Sequence, residues 1–168
     1  LGRTILRLLE ATGGVVLYRG NNILKNNARE MKEVRTNMQI IFQDPYASLN
    51  PRMTISEIIA EPIRVSKMLT DRAAINSRVY ELMDTVGLAE RLINTYPHEL
   101  DGGRRQRVGV ARALAVEPEF IVADEPVSAL DVSIQAQILN LMMDLQEERG
   151  FSYLFITHDL SVVKHISD

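Results

Sequence analysis

"EFIVADEP", residues 119–126, decides the fold class. Residues 120–123 are apolar without interruption, and the run ends in Asp124 and Glu125. A strand that is apolar at every position has no solvent face, so it belongs in a parallel sheet covered on both sides. "YLFI" (153–156) repeats the pattern and leads to His158, and "MQIIFQ" (38–43) reads as a third buried strand, ending in Gln43. Helical patterns separate these strands, and that alternation gives an α/β fold. Open parallel sheets bind ligands beyond the carboxyl ends of their strands. One crevice is therefore expected to hold Gln43, Asp124, Glu125 and His158. An amide, two carboxylates and an imidazole together suit magnesium and a phosphoryl group.

The rest of the chain is read outward from those strands. Leu1 to Leu9 reads as a helix closed by "ATGG", and "VVLYRGNNIL" (15–24) as a hairpin turning at Arg19 to Asn22. "DPYASLNPRM" (44–53) reads as a loop. Thr54 and Glu57 have the spacing of a capping box, so a helix begins there. Ile75, Val79, Leu82, Met83 and Val86 mark an amphipathic helix that Gly87 ends. Val108, Ala111 and Leu114 share a face of the helix after "LDGG", and Ile134, Ile138, Leu141, Met142 and Leu145 form the stripe of another, closed by Gly150. No strand pattern occurs from about residue 44 to 118, which implies a helical insertion. Both termini fall inside apparent helices, and the expectation is a piece of a longer protein.

Composition narrows the function classes. The chain has 168 residues, 46% hydrophobic and 24% charged, with a net charge of −3, so no basic surface argues for nucleic acid. It has no cysteine, which excludes disulfides and thiolate metal sites. No apolar run is long enough to span a membrane, so a membrane role must come through a partner. Each polar feature also has a plain structural reading. Asp124 and Glu125 can open a loop or cap a helix, His158 can simply be exposed, and Asp101 and Asp131 can cap the helices after them. Their joint order is what points to chemistry.

In that order the chain resembles the nucleotide-binding subunit of ABC transporters, over essentially all its residues. "IIFQDP" is similar to the family's Q-loop, "LDGGRRQRVGVARAL" to its signature motif and helix, "FIVADEP" to Walker B, "SALD" to the D-loop and "FITHDL" to the H-loop. "FQDPYASLNPRMT" and "YPHEL" resemble the branch that imports oligopeptides, dipeptides and nickel. The resemblance implies a P-loop NTPase-like α/β fold: a mostly parallel sheet flanked by helices, an inserted helical subdomain and a small antiparallel hairpin. It implies one ATPase domain over 1–168, with core at 1–43, the helical subdomain and signature helix at 44–118, and core again at 119–168.

The resemblance also implies roles. Asp124 holds magnesium through water, Glu125 orients and polarises the attacking water, Gln43 touches the metal or that water, and His158 contacts the γ-phosphate. Asp131 lies at a dimer interface. Two such subunits, identical or related, sandwich two ATP molecules head to tail, with Asp101, Gly102, Gly103 and Arg104 against the partner's nucleotide. Membrane-spanning permease subunits dock on the segment after Gln43, and a solute-binding protein acts through them. The place implied is the cytoplasmic face of the membrane, peripherally. The family's phosphate loop, G-x-x-x-x-G-K-[ST], lies directly before the helix that here begins at Leu1, and this sequence contains no such motif. The chain by itself is therefore expected to be inactive. A non-transport ABC-type ATPase and a non-catalytic remnant are the competing readings. The 57 positions from Gln43 to Leu100 favour the transporter, since non-transport relatives often carry large insertions there.

"LDGGRRQR" (100–107) departs from the family's Leu-Ser-Gly-Gly-Gln. Asp101 stands for serine and Arg104 for glutamine. Aspartate caps a helix as well as serine does. Set against a phosphate it repels: two like charges about 4 Å apart cost roughly 4 kcal/mol at an effective dielectric near 20. Arg104 lies three residues on, placed to pair with Asp101 or to meet the phosphate itself. The hypothesis is that the two departures are coupled.

Overall fold

A computed structural model of the chain describes residues 1–167. Helix α1 (Gly2–Ile5) precedes a hairpin of β1 (Leu17–Tyr18) and β2 (Asn21–Asn22), then α2 (Ala28–Asn37) leads into β3 (Met38–Ile41). Four helices follow without a strand among the described residues: α3 (Pro45–Ser48), α4 (Ile55–Ser66), α5 (Arg72–Thr85) and α6 (Gly102–Leu114). The chain then alternates β4 (Phe120–Asp124), α7 (Val132–Arg149), β5 (Ser152–Ile156) and α8 (Leu160–Ile166). The sheet is parallel in the order β3-β4-β5.

The central strand shows why an unbroken apolar run was needed. Ile121 and Ala123 are fully buried in a large cluster that runs through α6 into α4 and α5. Val122 points the other way, into a smaller cluster with Leu6, Ile23, Met31 and Val34. Gly2 lets α1 lie close on that second face: a Cβ there would come within 2.5 Å of Val122 Cγ1.

The elements differ from expectation in four places, each for a local reason. The helix expected over Leu1–Leu9 closes at Ile5. Arg7 takes a left-handed φ of 51°, and the Arg35 guanidinium donates to the Leu6 and Arg7 carbonyls at 3.1 and 2.7 Å. Side-chain bonds thus replace the next helical turn. The hairpin turns at Arg19–Gly20 and not across Arg19–Asn22, because both turn residues have positive φ (50° and 79°), as a two-residue hairpin loop needs. The loop expected over 44–53 contains α3, which starts where Asp44 Oδ1 accepts from the amides of Tyr46 (2.8 Å) and Ala47 (3.2 Å) behind Pro45. Helix α2 was not foreseen. Its capping box, Asn27 with Glu30, has the same spacing as Thr54 with Glu57, so the signal was in the sequence.

Candidate functional site

The register of the sheet brings three strand ends level. Ile41 lies beside Ala123, and Ala123 beside Phe155. Gln43, Glu125 and His158 each follow one of these ends within two residues, so they come together although they are far apart in sequence. The Glu125 amide donates to the Ile156 carbonyl at 2.8 Å, which carries the pairing of β4 and β5 one residue past the strand. Glu125 itself takes a φ of 49°, in the left-handed region that a side chain adopts at a cost. That conformation aims its carboxylate across the strand ends. Gln43 Nε2 donates to Glu125 Oε2 at 2.7 Å, and His158 Nδ1 lies 3.1 Å from Glu125 Oε1. Each carboxylate oxygen thus has its own partner. The Glu125 side chain is 24% exposed and that of His158 is 73% exposed, so the carboxylate is the sheltered member. Asp124, the last residue of β4, is partly exposed and makes no side-chain hydrogen bond among the described residues.

Helix α6 carries the other expected group. Asp101 is its cap: Oδ1 accepts from the Arg104 amide at 2.8 Å, and Oδ2 lies 3.4 Å from Arg104 Nη1. Both oxygens of Asp101 are therefore engaged by a single residue, through its backbone and through its side chain. Of the arginines on α6, Arg104 is the exposed one. Arg105 Nε donates to the Pro97 carbonyl at 2.7 Å, Arg107 Nη1 to Val86 at 2.6 Å and Arg112 Nη1 to Ser48 at 2.6 Å. Three of the four thus fasten α6 to its surroundings, and the basic run is not a phosphate cradle as a whole.

The two glycines serve packing as well. A Cβ on Gly102 would lie 3.1 Å from Leu130 Cδ2, and one on Gly103 would lie 2.7 Å from Ile134 Cγ2. Their lack of side chains lets α6 sit against the start of α7. Asp131 stands at the first position before α7, exposed, and its side chain makes no capping bond. The plain structural reading of Asp131 as a side-chain cap therefore does not hold. Arg112, at the far end of α6, was not singled out from sequence. Its signal was a guanidinium on a helix face otherwise made of Val108, Ala111 and Ala115.

The family model for ABC transporters matches residues 1–128. The chain belongs to the ABC transporter family. Among its ABC relatives, the oligopeptide transport ATP-binding protein OppF of Bacillus subtilis (strain 168) is 59% identical over 168 residues, covering 99% of this chain and 55% of that protein. OppF of Haemophilus influenzae is 55% identical, covering all of this chain and 51% of that protein. The chain spans about half the length of the curated relatives it matches. Its fold follows the ATP-binding cassette MJ0796, seen as a dimer in a post-hydrolysis state bound to ADP and Pi. The TM-score is 0.83 at 30% identity, over 98% of this chain and 71% of that one. It also follows cbiO1 of Clostridium perfringens, part of the ABC transporter complex cbiONQ, with a TM-score of 0.81 at 25% identity, over 96% of this chain and 62% of that one. Among the described residues of this ABC chain, no helix is long and apolar enough to cross a membrane.

Proposed function

We infer that this chain is the ATP-binding and ATP-hydrolysing part of an ABC importer of peptides. The observation that carries the reading is the Glu125 carboxylate held by Gln43 and His158 at the ends of three parallel strands. Support for peptides as cargo comes from the names of the relatives, which are oligopeptide transport proteins.

The donor set fits magnesium and ATP. Gln43 spends its amide N–H on Glu125, which leaves its carbonyl oxygen free, and the Asp124 carboxylate lies one residue away from Glu125. Both are hard oxygen donors. Magnesium suits such a sparse site, because it keeps water and takes phosphate oxygens beside one or two carboxylates. Magnesium-bound ATP would supply the phosphoryl group and neutralise charge during its transfer.

The chain's own residues then divide the work. Asp124 and Gln43 would hold the metal. Glu125, fixed on both oxygens, orients the attacking water and accepts its hydrogen bond. His158, exposed and with Nδ1 3.1 Å from Glu125 Oε1, would present its other ring nitrogen to the γ-phosphate. Gly102, Gly103 and Arg104 face a second ATP-binding subunit's nucleotide, with Asp101 balancing the charge of Arg104 and Asp131 at the same interface. The helical segment 44–118 docks permease subunits at the cytoplasmic face of the membrane, and a solute-binding protein delivers cargo to them. Phosphate release by the intact protein tests the reading: the wild type hydrolyses Mg-ATP and Glu125→Gln does not. An unchanged rate in that variant would overturn it.

A further inference from the structure

Helix α6 reaches the segment that carries Gln43 through two side chains, Arg105 on the Tyr46 ring and Arg112 at both ends. Arg112 Nη1 donates to the Ser48 carbonyl at 2.6 Å, at the end of α3, and its guanidinium lies 5.7 Å from the centre of the Phe42 ring. Phe42 immediately precedes Gln43. The same ring meets Arg3 of α1, whose guanidinium carbon lies 5.9 Å from its centre. Both distances fall within the range of a cation–π contact. Residues 42–48 are thus gripped at both ends by Arg112, and Gln43 lies between the two grips.

A purely structural part for Arg112 explains these contacts poorly. The guanidinium is largely withdrawn from solvent, which pushes its pKa below the usual arginine value, and the charge of Glu61 opposes that shift only in part. No carboxylate lies within ion-pair distance among the described residues. An apolar side chain of similar length would fill the same space without the desolvation penalty. What the guanidinium adds is the pair of contacts on the segment that carries Gln43. The Arg105 guanidinium also meets this segment, 5.1 Å from the centre of the Tyr46 ring, but its hydrogen bond and that of Arg107 go to carbonyls remote in sequence from Gln43, so Arg112 is the one that holds both Phe42 and Ser48.

We propose that Arg112 is a positioning residue for Gln43: it holds Phe42 and the Ser48 carbonyl so that the Gln43 amide stays on Glu125, and it makes that placement follow helix α6. The helix that bears Asp101, Gly102 and Gly103 at one end therefore sets the reach of Gln43 from the other. This rests on the ATPase reading above, and the test separates the two.

The test uses the intact protein, as wild type, Arg112→Gln, Gln43→Ala and the double variant. Arg112→Gln lowers the maximal rate of phosphate release about tenfold, as misplacing a reacting group does, with KM for ATP little changed. In the Gln43→Ala background the same change costs less than about twofold, because its target is already gone. Phe42→Leu, which keeps apolar bulk and removes the ring face, gives the same pattern and serves where Arg112→Gln does not fold. Equal losses in both backgrounds overturn the proposal, since a general loss of folded protein multiplies both rates alike. A second readout does not depend on activity. Arg112→Gln speeds amide hydrogen exchange over residues 42–49 by about fivefold or more and leaves β4 unchanged. Unchanged exchange over 42–49 overturns the proposal whatever the ATPase rate. A wild-type protein without hydrolysis, paired with faster exchange in the variant, overturns the functional reading alone.

Discussion

Glu125 and Asp101 are both acidic residues with each carboxylate oxygen engaged, yet they are built in opposite ways. The partners of Glu125 come from separate strand ends, with Gln43 lying 82 positions away in sequence. Both partners of Asp101 belong to Arg104, three positions away. The first arrangement exists only when the sheet has formed in register. The second needs only one turn of helix. The difference teaches where each site is vulnerable: the crevice to any change that moves one strand end, the helix cap only to changes at its own residues.

The largest effect falls on the crevice. Glu125→Gln in the intact protein lowers ATP hydrolysis by roughly 10²–10⁴-fold, the usual contribution of a positioned acid–base group, as read by steady-state phosphate release. The helix end should then show a packing effect before a charge effect. Gly103→Ala puts a methyl 2.7 Å from Ile134 Cγ2 and destabilises the fold by about 1–3 kcal/mol in urea unfolding. Ile134→Ala in the same protein recovers part of that loss. Full stability in Gly103→Ala would mean that α6 and α7 are less tightly opposed than described.

The local pair gives smaller numbers. Asp101→Ala removes a cap and costs about 1 kcal/mol. A double-mutant cycle of Asp101→Ser and Arg104→Gln yields a stability coupling of about 0.3–0.5 kcal/mol, the usual size for an exposed helical pair. Coupling in the ATPase rate well above that would locate the pair's value in binding the partner's nucleotide. Strict additivity in both readouts would break the link between the two departures.

A pH effect at another local cap is smaller still. Hydrogen bonds from the Thr54 amide and then the Thr54 hydroxyl hold the Glu57 carboxyl below its ordinary pKa of 4.5. A folded-state pKa that is depressed contributes stability above the ordinary value, and that stability is lost as pH falls through the folded value. Thr54→Ala removes the hydroxyl bond and flattens this dependence below about pH 5 in thermal melts. An unchanged slope would mean that the backbone bond alone sets the shift.

Local patterns were legible because their partners lie within one turn. Thr54 with Glu57, the stripe on α7 and the glycine stops at Gly87 and Gly150 follow from spacing alone. The misses divide: α2 and α3 start on local caps, Asn27 with Glu30 for α2 and Asp44 for α3, whereas the early end of α1 depends on something outside the segment. Helix α1 stops early because Arg35, 28 and 29 positions on, takes its carbonyls. The arginines after Gly103 looked alike in sequence and part only in the fold, where three find carbonyls and one does not.

The sequence by itself determined the parallel sheet, the strands that make it and the family. Uninterrupted apolar runs ending in polar residues leave few other places to go, and the motif order is specific. It determined the Asp101–Arg104 spacing as well, because helix geometry is set by neighbours. Only the tertiary structure decided that Gln43 and His158 meet on Glu125, that Gly103 is held open for Ile134 and that Arg112 grips the segment around Gln43. Those contacts join residues from 31 to 82 positions apart. No local preference encodes them; they follow from strand register and from the packing of α6 on the sheet and α7.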